Sequence, residues 1–323
     1  MKLFIQIPCF NEADALPITL RELPREVPGF DSVEWLVVND GSTDGTAEVA
    51  LHNGVNHVVS FTNNQGLARA FLAGLDSCIK LGADVIVNTD ADNQYLAADI
   101  PALVAPILAG RADVVIGARP IDEVESFSLA KKLLQKAGSS VVRFVSRTDI
   151  PDAPSGFRAM TREAAMRFNV FNDYTYTLET IIQAGQKNIA TTSVPVRVNS
   201  ALRPSRLVKS NSSYIGRSLV TIVRIFVVYK AFRFFMSVGL AALSMGMIGG
   251  IRYLCYLASG EGAGHVQSLI LSSILIGVGF QTMLTAFLAD LLAVNRRLME
   301  DVQYRVKKME FSAAVDDRSN LSK

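Results

Sequence analysis

Over residues 1–200, short runs dominated by apolar side chains alternate with segments of helical period. Leu3–Ile7, Glu34–Val38, Val58–Ser60, Asp84–Thr89 and Asp113–Gly117 predict strands. Glu12–Arg25, a segment beginning at Thr46, and Gln65–Lys80 predict helices between them. Strands that are apolar throughout, rather than alternating, belong to a sheet covered on both faces. Strand–helix alternation makes such a sheet mainly parallel. The expected fold class is therefore α/β, Rossmann-like, with a mainly parallel sheet. In such sheets ligands bind beyond the carboxyl ends of the strands. The polar segments Pro8–Glu12, Asn39–Asp44, Asp90–Gln94 and Ala118–Arg119 fall at those ends.

After about residue 210 the pattern changes. Phe234–Ile251 is a run of about 18 uncharged residues, and with Arg252 snorkelling it extends through Tyr253–Ala258. Val266–Ala289 is a second run, of about 24. At about 1.5 Å per residue each crosses a hydrocarbon layer of about 30 Å. The Gly-rich link Ser259–His265 predicts a tight hairpin. The other reading of the two runs is a pair of buried helices in a soluble protein. Arg217, Arg224, Lys230 and Arg233 precede the first run. Arg296, Arg297, Arg305, Lys307 and Lys308 follow the second, and the link carries neither Lys nor Arg. The positive-inside rule then places both flanks, and the amino-terminal domain, on the cytoplasmic side of a cell membrane. Ser218–Phe235 reads as an amphipathic helix lying at the headgroups, with a third span as the rival reading. Phe127–Phe144, with Lys131, Lys132, Lys136 and Arg143, reads as membrane-apposed or as a plain surface helix.

The expected plan is a domain over 1–210, a juxtamembrane helix over 211–233, a membrane hairpin over 234–294 and a cytoplasmic tail over 295–323, disordered from Phe311. Gly239, Ala241, Ala242, Gly246, Gly249 and Gly250 offer a small-residue surface on which copies of the hairpin can pack, so a homo-oligomer is a possible partner arrangement. The start, MKLFIQIPCFNE, reads as a first strand rather than a signal peptide.

Composition agrees with this division. Half of the 323 residues are hydrophobic and 19% are charged. The mean hydropathy is +0.27. That is too apolar for an ordinary soluble protein and too charged for a bundle of membrane helices. A net charge of +2 gives no field that points to nucleic acid. Three scattered cysteines (Cys9, Cys78, Cys255) read as small buried hydrophobes in a reducing compartment. Three histidines do not build a His-rich zinc site, so any metal here is expected to be a hard cation on oxygen ligands.

The candidate chemistry lies at the strand ends. Asp90-Ala91-Asp92-Asn93-Gln94 follows the strand that ends at Thr89. Alternate residues at a strand end aim two carboxylates at one point. With an amide oxygen they suit Mg2+ or Mn2+, which keep positions open for phosphate oxygens. Such an ion stabilises charge on a leaving diphosphate. Asp-x-Asp alone is common in loops, and its place after a buried strand is what gives it weight. In Asn39–Thr46, Gly41 and Gly45 permit a tight turn and an Asp or Thr caps the next helix. The functional reading gives Asp40 a contact to a base or ribose. Arg203, Arg206 and Lys209, just ahead of the apolar runs, favour an anionic partner at the bilayer, either a phosphate or lipid headgroups. In the loop Asp152–Arg158, Asp152 suits a sugar or acceptor and Arg158 a phosphate; a turn with an internal salt bridge is the alternative for each. Glu179 reads as structural.

The order IPCFNE, VVNDGSTDGT, N-x-G-x-A-x-A, NTDADNQY, GAR, DAPSGFRA and R-x5-K resembles glycosyltransferase family 2. Within it the chain resembles the polyprenyl-phosphate glycosyltransferases, relatives of dolichyl-phosphate mannose synthase and of bacterial undecaprenyl-phosphate glucosyltransferases. The likeness covers roughly residues 3–210 and continues into the two apolar runs. It implies a GT-A fold and inverting transfer from a nucleotide-sugar donor, a UDP- or GDP-sugar, to a polyprenyl phosphate. It implies that Pro8, Phe10, Glu12, Val38 and Asp40 line the nucleoside pocket. Asp90, Asp92 and Gln94 would hold the metal, with Ala91 backing the ribose or diphosphate. Arg119 would face the donor phosphates or sugar. Arg203 and Lys209, with Arg206 between them, match a late basic pair near the phosphates. Three positions depart from the pattern: Phe10 replaces Tyr, Asn93 replaces Leu, and Ala68-Arg69-Ala70 is less Gly-rich. The only tryptophan is Trp35, so no Q-x-x-R-W motif of processive synthases exists. The competing functional readings are transfer to another lipid or glycan acceptor and a non-catalytic membrane scaffold.

Overall fold

The computed structural model describes residues 1–120, 129–170, 176–199, 227, 230–260 and 262–321. The chain forms two compact units, Met1–Ser218 with Asp301–Lys323, and Leu219–Glu300.

The first unit begins with β1 (Lys2–Cys9), α1 (Leu16–Glu22), β2 (Ser32–Asn39), α2 (Thr46–His52), β3 (His57–Ser60) and α3 (Leu67–Lys80). It continues through β4 (Val85–Asn88), α4 (Ile100–Leu108), β5 (Val114–Ala118), α5 (Leu129–Ser146), β6 (Arg158–Thr161), α6 (Arg162–Arg167), α7 (Thr177–Gln186) and β7 (Thr191–Pro195). The seven strands form one sheet in the order β3-β2-β1-β4-β6-β5-β7. Only β6 is antiparallel to its neighbours. The mainly parallel α/β expectation holds.

Alternate residues of β1 serve opposite faces, as the period of a strand requires. Leu3, Ile5 and Ile7 join Val85 and Val87 of β4 in a core against Leu16 and Leu20 of α1 and Ile100, Leu103 and Val104 of α4. On the other face Gln6 reaches the Phe71 carbonyl of α3. Ala68, Phe71, Leu75, Cys78 and Ile79 form the buried stripe of α3, at the spacing of one helical face. Gly74 lets this helix approach the sheet, because a Cβ there would collide with the Gln6 amide.

Two differences from the sequence reading have physical causes, the first local and the second tertiary. The first helix is shorter than expected because Pro17 sits in its first turn, where its fixed φ and missing N–H are accommodated. Strands β6 (RAMT) and β7 (TTSVP) were not foreseen. Neither is an apolar run; each forms because neighbouring strands present unpaired edges to it.

In the second unit α8 (Ala231–Ala258) and the first part of α9 (Val266–Leu321) contain the two apolar runs, joined through the turn Gly262–His265. Both are long and apolar enough to cross a membrane, with a mean hydropathy of 1.8. Gly239 and Gly246 of α8 face α9: a Cβ on the first would lie 2.9 Å from the Gly279 carbonyl, and on the second 2.9 Å from the Ile276 nitrogen. Gly249 abuts Ser272 in the same way. Of the six small residues, these three pack inside the hairpin, while Ala241 is exposed and Gly250 has open space beside it. The tail expected to be disordered is instead the end of α9, helical to Leu321. Cys9 and Cys78 are buried and Cys255 is exposed. The juxtamembrane helix, apart from residue 227 and the residues from 230 onward, lies outside the described residues, as do Arg203, Arg206 and Lys209.

Candidate active site

The first two loops at the sheet's carboxyl edge are stapled to each other. Pro8 pairs with Val38 in register, and both are buried. Asn11 occupies the left-handed region (φ 54°), and its side-chain oxygen accepts from the Thr43 amide at 2.9 Å. The amides of Asn11, Glu12 and Ala13 donate in turn to Ser42 Oγ, Thr46 Oγ1 and Asp44 Oδ2. Ser42, Asp44 and Thr46 of the DGSTDGT segment therefore satisfy the backbone of the loop that carries Phe10 and Glu12. Phe10 is 43% exposed, the most open of the expected nucleoside-pocket residues. Asp40 is buried, and its two oxygens accept from the amides of Gln65 (2.7 Å) and Gly66 (2.9 Å) at the start of α3. In this structure Asp40 holds the next loop in place; a carboxylate has lone pairs left for a ligand.

The third loop carries Asp90, Ala91, Asp92, Asn93 and Gln94. Ala91 is buried and its carbonyl accepts from Thr19 Oγ1 of α1 at 2.8 Å. Asp92 Oδ1 accepts from the Gln94 amide at 3.2 Å. Asn93 adopts φ 56°, a left-handed conformation that Asn tolerates better than Leu does. That is a physical reason for the departure at this position. The Asn93 and Gln94 carbonyls accept from the side chain and amide of Asn199, so the strand-like segment after β7 lies along this loop.

Arg119 and Asp152, 33 residues apart, form a two-pronged pair: Nε to Oδ2 at 2.7 Å and Nη2 to Oδ1 at 3.0 Å. Their side chains are 7% and 1% exposed. Nη1 of Arg119 also donates to Gln94 Oε1 at 3.2 Å. Burial works against the arginine's charge, but the Tyr95 oxygen and the Asp152 carboxylate outweigh it and hold the guanidinium above its ordinary pKa. Asp152 thus orients Arg119 and points at no open space. The salt bridge expected within this loop is not formed: Asp152 pairs with Arg119 after β5, 33 residues away, rather than with Arg158.

Arg158, expected at a phosphate, is placed elsewhere. It is 1% exposed on β6 and donates inward to Thr180 Oγ1 at 2.6 Å, to the Thr177 carbonyl at 3.4 Å and to the Ser155 carbonyl. Its guanidinium lies 5.1 Å from the Tyr176 ring. Register explains this: Arg158 stands opposite Asn88 in the middle of the sheet, under α7. Burial lowers its pKa.

Residues that sequence reasoning passed over form a buried polar chain beneath Asp90. Gln6 Nε2 donates to Asn88 Oδ1 (2.9 Å), and Asn88 Nδ2 donates to the Gly156 carbonyl (2.8 Å) and to Tyr176 Oη (2.9 Å). Their signal was present, since Gln6 and Asn88 interrupt apolar strands.

Desolvation, and after it the charge of Asp92, pushes Asp90 up to about 7. Among the described residues no three His, Cys, Asp or Glu side chains cluster as a metal-binding group. The donor set is two carboxylates, the set Mg2+ or Mn2+ uses when water and phosphate oxygens fill the remaining positions. A divalent cation would offset both the desolvation and the repulsion that raise Asp90, so the residues fit such an ion.

Paired acids, a locked arginine and stapled loops at the carboxyl edge of this sheet define a GT-A-type α/β domain. Glucosyl-3-phosphoglycerate synthase from Mycobacterium tuberculosis, in complex with phosphoglyceric acid, has the same fold: TM-score 0.55 at 19% identity, over 70% of this chain and 79% of that one. The same enzyme in complex with Mn2+, UDP and glucosyl-3-phosphoglycerate gives 0.52 at 19%, over 70% and 78%.

The family model for glycosyl transferase family 2 matches residues 4–168, and the chain belongs to that family. Its relatives include an undecaprenyl-phosphate mannosyltransferase of Micrococcus luteus, 28% identical over 69% of this chain and 93% of that protein. A polyprenol monophosphomannose synthase of Mycolicibacterium smegmatis is 33% identical over 51% and 63%. Glycosyltransferase AglJ of Haloferax volcanii is 27% identical over 93% and 96%. The first two of these are by name polyprenyl-phosphate sugar transferases, which supports the subgroup that the motifs implied.

Proposed function

We propose that this protein transfers a sugar, with inversion, from a UDP- or GDP-sugar to undecaprenyl or dolichyl phosphate at the cytoplasmic face of a cell membrane, with Mg2+ or Mn2+. The observation that carries the reading is the Asp90–Asp92 loop beside an arginine locked by Asp152. Pro8, Phe10, Glu12, Val38 and Asp40 form the nucleoside end, and Ala91 backs the ribose or diphosphate. Asp90 and Asp92 are the metal ligands, and Gln94 holds Arg119 with its amide oxygen. When bound, the ion would compensate charge on the departing nucleoside diphosphate.

Arg119 adds a fixed positive charge at the same place, one that needs no reorganisation during reaction. The acceptor phosphate has a second pKa of about 6 and is largely dianionic at neutral pH, so its oxygen attacks the anomeric carbon without a strong general base. Alignment and charge stabilisation are then the main tasks. By sequence, Arg203, Arg206 and Lys209 are the cations proposed for the phosphates. The two apolar helices keep the enzyme where a polyprenyl chain resides, and the Lys and Arg on both flanks support the cytoplasmic placement.

The test is a donor panel with purified protein, Mg2+ or Mn2+, and a polyprenyl phosphate, scored by labelled lipid. A labelled product that mild acid cleaves supports the reading. Label only on a glycolipid, or no transfer from any donor, overturns it.

A further inference from the structure

The buried polar chain under Asp90 converges on one backbone position, Gly156. The Gly156 amide donates to Tyr95 Oη at 3.0 Å, and its carbonyl accepts from Asn88 Nδ2 at 2.8 Å. Asn88 and Tyr95 bracket the acidic loop, one ending β4 and the other following Gln94. Both polar groups of a single residue are therefore held by the segment that carries Asp90 and Asp92. Tyr95 is 4% exposed and its ring stacks on Phe157, centroids 5.0 Å apart. Asn88 is fully buried and is held from behind by Gln6. Tyr176, whose hydroxyl completes the set, stacks on Phe71 of α3 at 3.8 Å.

Over this anchored peptide lies the Asp90 carboxylate. A Cβ on Gly156 would stand 2.8 Å from both Asp90 oxygens and 3.1 Å from Tyr176 Oη. The φ of Gly156 is not in the left-handed region that only glycine favours. The glycine is needed here for space, not for backbone conformation. Asp has one short stem, so its carboxylate can move off the glycine only by changing its aim.

We propose that Gly156, pinned by Tyr95 and Asn88, is a positioning residue that sets the direction of the Asp90 carboxylate toward the divalent cation. This rests on the reading of Asp90 and Asp92 as metal ligands. Gly156 touches neither donor nor acceptor; it acts through Asp90. The part of the DAPSGFRA segment that the reaction itself does not use is thereby explained.

The experiment is a titration of the full-length protein with Mn2+ alone, followed by electron paramagnetic resonance, beside thermal unfolding without metal. The variants are Gly156→Ala, Tyr95→Phe and Asp92→Asn. Gly156→Ala is expected to weaken Mn2+ binding about tenfold, the size typical of groups that orient a metal ligand. Tyr95→Phe keeps the ring stack, removes the hydroxyl that holds the Gly156 amide, and is expected to weaken binding by a smaller factor. It also serves if Gly156→Ala fails to fold. Both variants should unfold, metal-free, within a few degrees of the wild type, with a smaller gain in unfolding temperature on adding Mn2+. Wild-type affinity in both variants, or lowered metal-free stability with unchanged affinity, overturns the proposal while the metal site stands. If the wild type binds no Mn2+ and matches Asp92→Asn, the metal reading itself fails, and this inference with it.

Discussion

Two of the places where the domain pairs charges differ in what surrounds them. At the carboxyl edge of the sheet, Arg119 and Asp152 meet through two short bonds with side chains 7% and 1% exposed. On another part of the same unit, the end of α9 lies against α3 and α6. There Lys307 meets Asp76 at 2.8 Å, with side chains 16% and 37% exposed, and Arg167 meets Glu163 at 39% and 43%. Tyr304 donates to Glu163, and Phe311 is buried beside Lys80. The chemistry is the same, but water screens the second set and not the first. Exposed pairs contribute about 0–1 kcal/mol. A buried pair is weak evidence for stability, yet removing one partner strands a charge. The contrast teaches that the inner pair serves to aim a group, while the α9 contact is held mainly by the apolar burial of Phe311.

The largest effect is expected from Asp92→Ala, which removes a proposed metal ligand. Transfer should fall about a thousandfold or more, the upper range for losing a group that stabilises the transition state. The assay is labelled lipid, and near-normal turnover would contradict the proposed chemistry. Next is Asp152→Ala. It removes the carboxylate that holds the buried Arg119 guanidinium, and should cost about 3–5 kcal/mol in denaturant unfolding. A cost no larger than that of an exposed pair would erase the contrast drawn above.

The pH dependence sharpens it further. Asp90 is raised to about 7 from 3.8, so the folded protein holds a proton there that the unfolded chain has lost. Its contribution to stability is present below the unfolded pKa and is lost as pH rises through about 7. Metal-free protein should therefore lose unfolding temperature between about pH 4 and 7 relative to Asp90→Asn, while Mn2+ binding, which competes with that proton, should strengthen over about the same range.

The smallest effect belongs to the α9 contact. Lys307→Ala and Asp76→Ala should each cost no more than about 1 kcal/mol and leave transfer unchanged. Phe311→Ala should cost more than either, about 3 kcal/mol. An equal or larger loss from Lys307→Ala would mean that the ion pair, rather than the buried ring, holds the helix.

Much of this was legible because its causes are local. Period and apolar runs marked β1, β2, β4, β5 and α3 to within a few residues, and the same runs marked α8 and the start of α9. Polar clusters after the strands located Asp90, Asp92 and Arg119. The directions of side chains were not legible. An arginine that begins a strand reads as exposed from its own neighbours. Only the order β4-β6-β5 sets Arg158 under α7, where Thr177 and Thr180 receive it. Asp152 reads as a ligand for sugar until β5 brings Arg119 beside it. The polar end of α9 reads as a loose tail until Asp76 and Glu163 meet it.

The sequence by itself determined which segments become strands, helices and apolar spans, and which residue types stand at the sheet's carboxyl edge. These follow from contacts within about a turn of helix or a pair of strand positions. The tertiary structure alone decided which charges face a ligand and which face each other. Those partners lie tens of residues apart, and only the sheet's strand order brings them within hydrogen-bond distance.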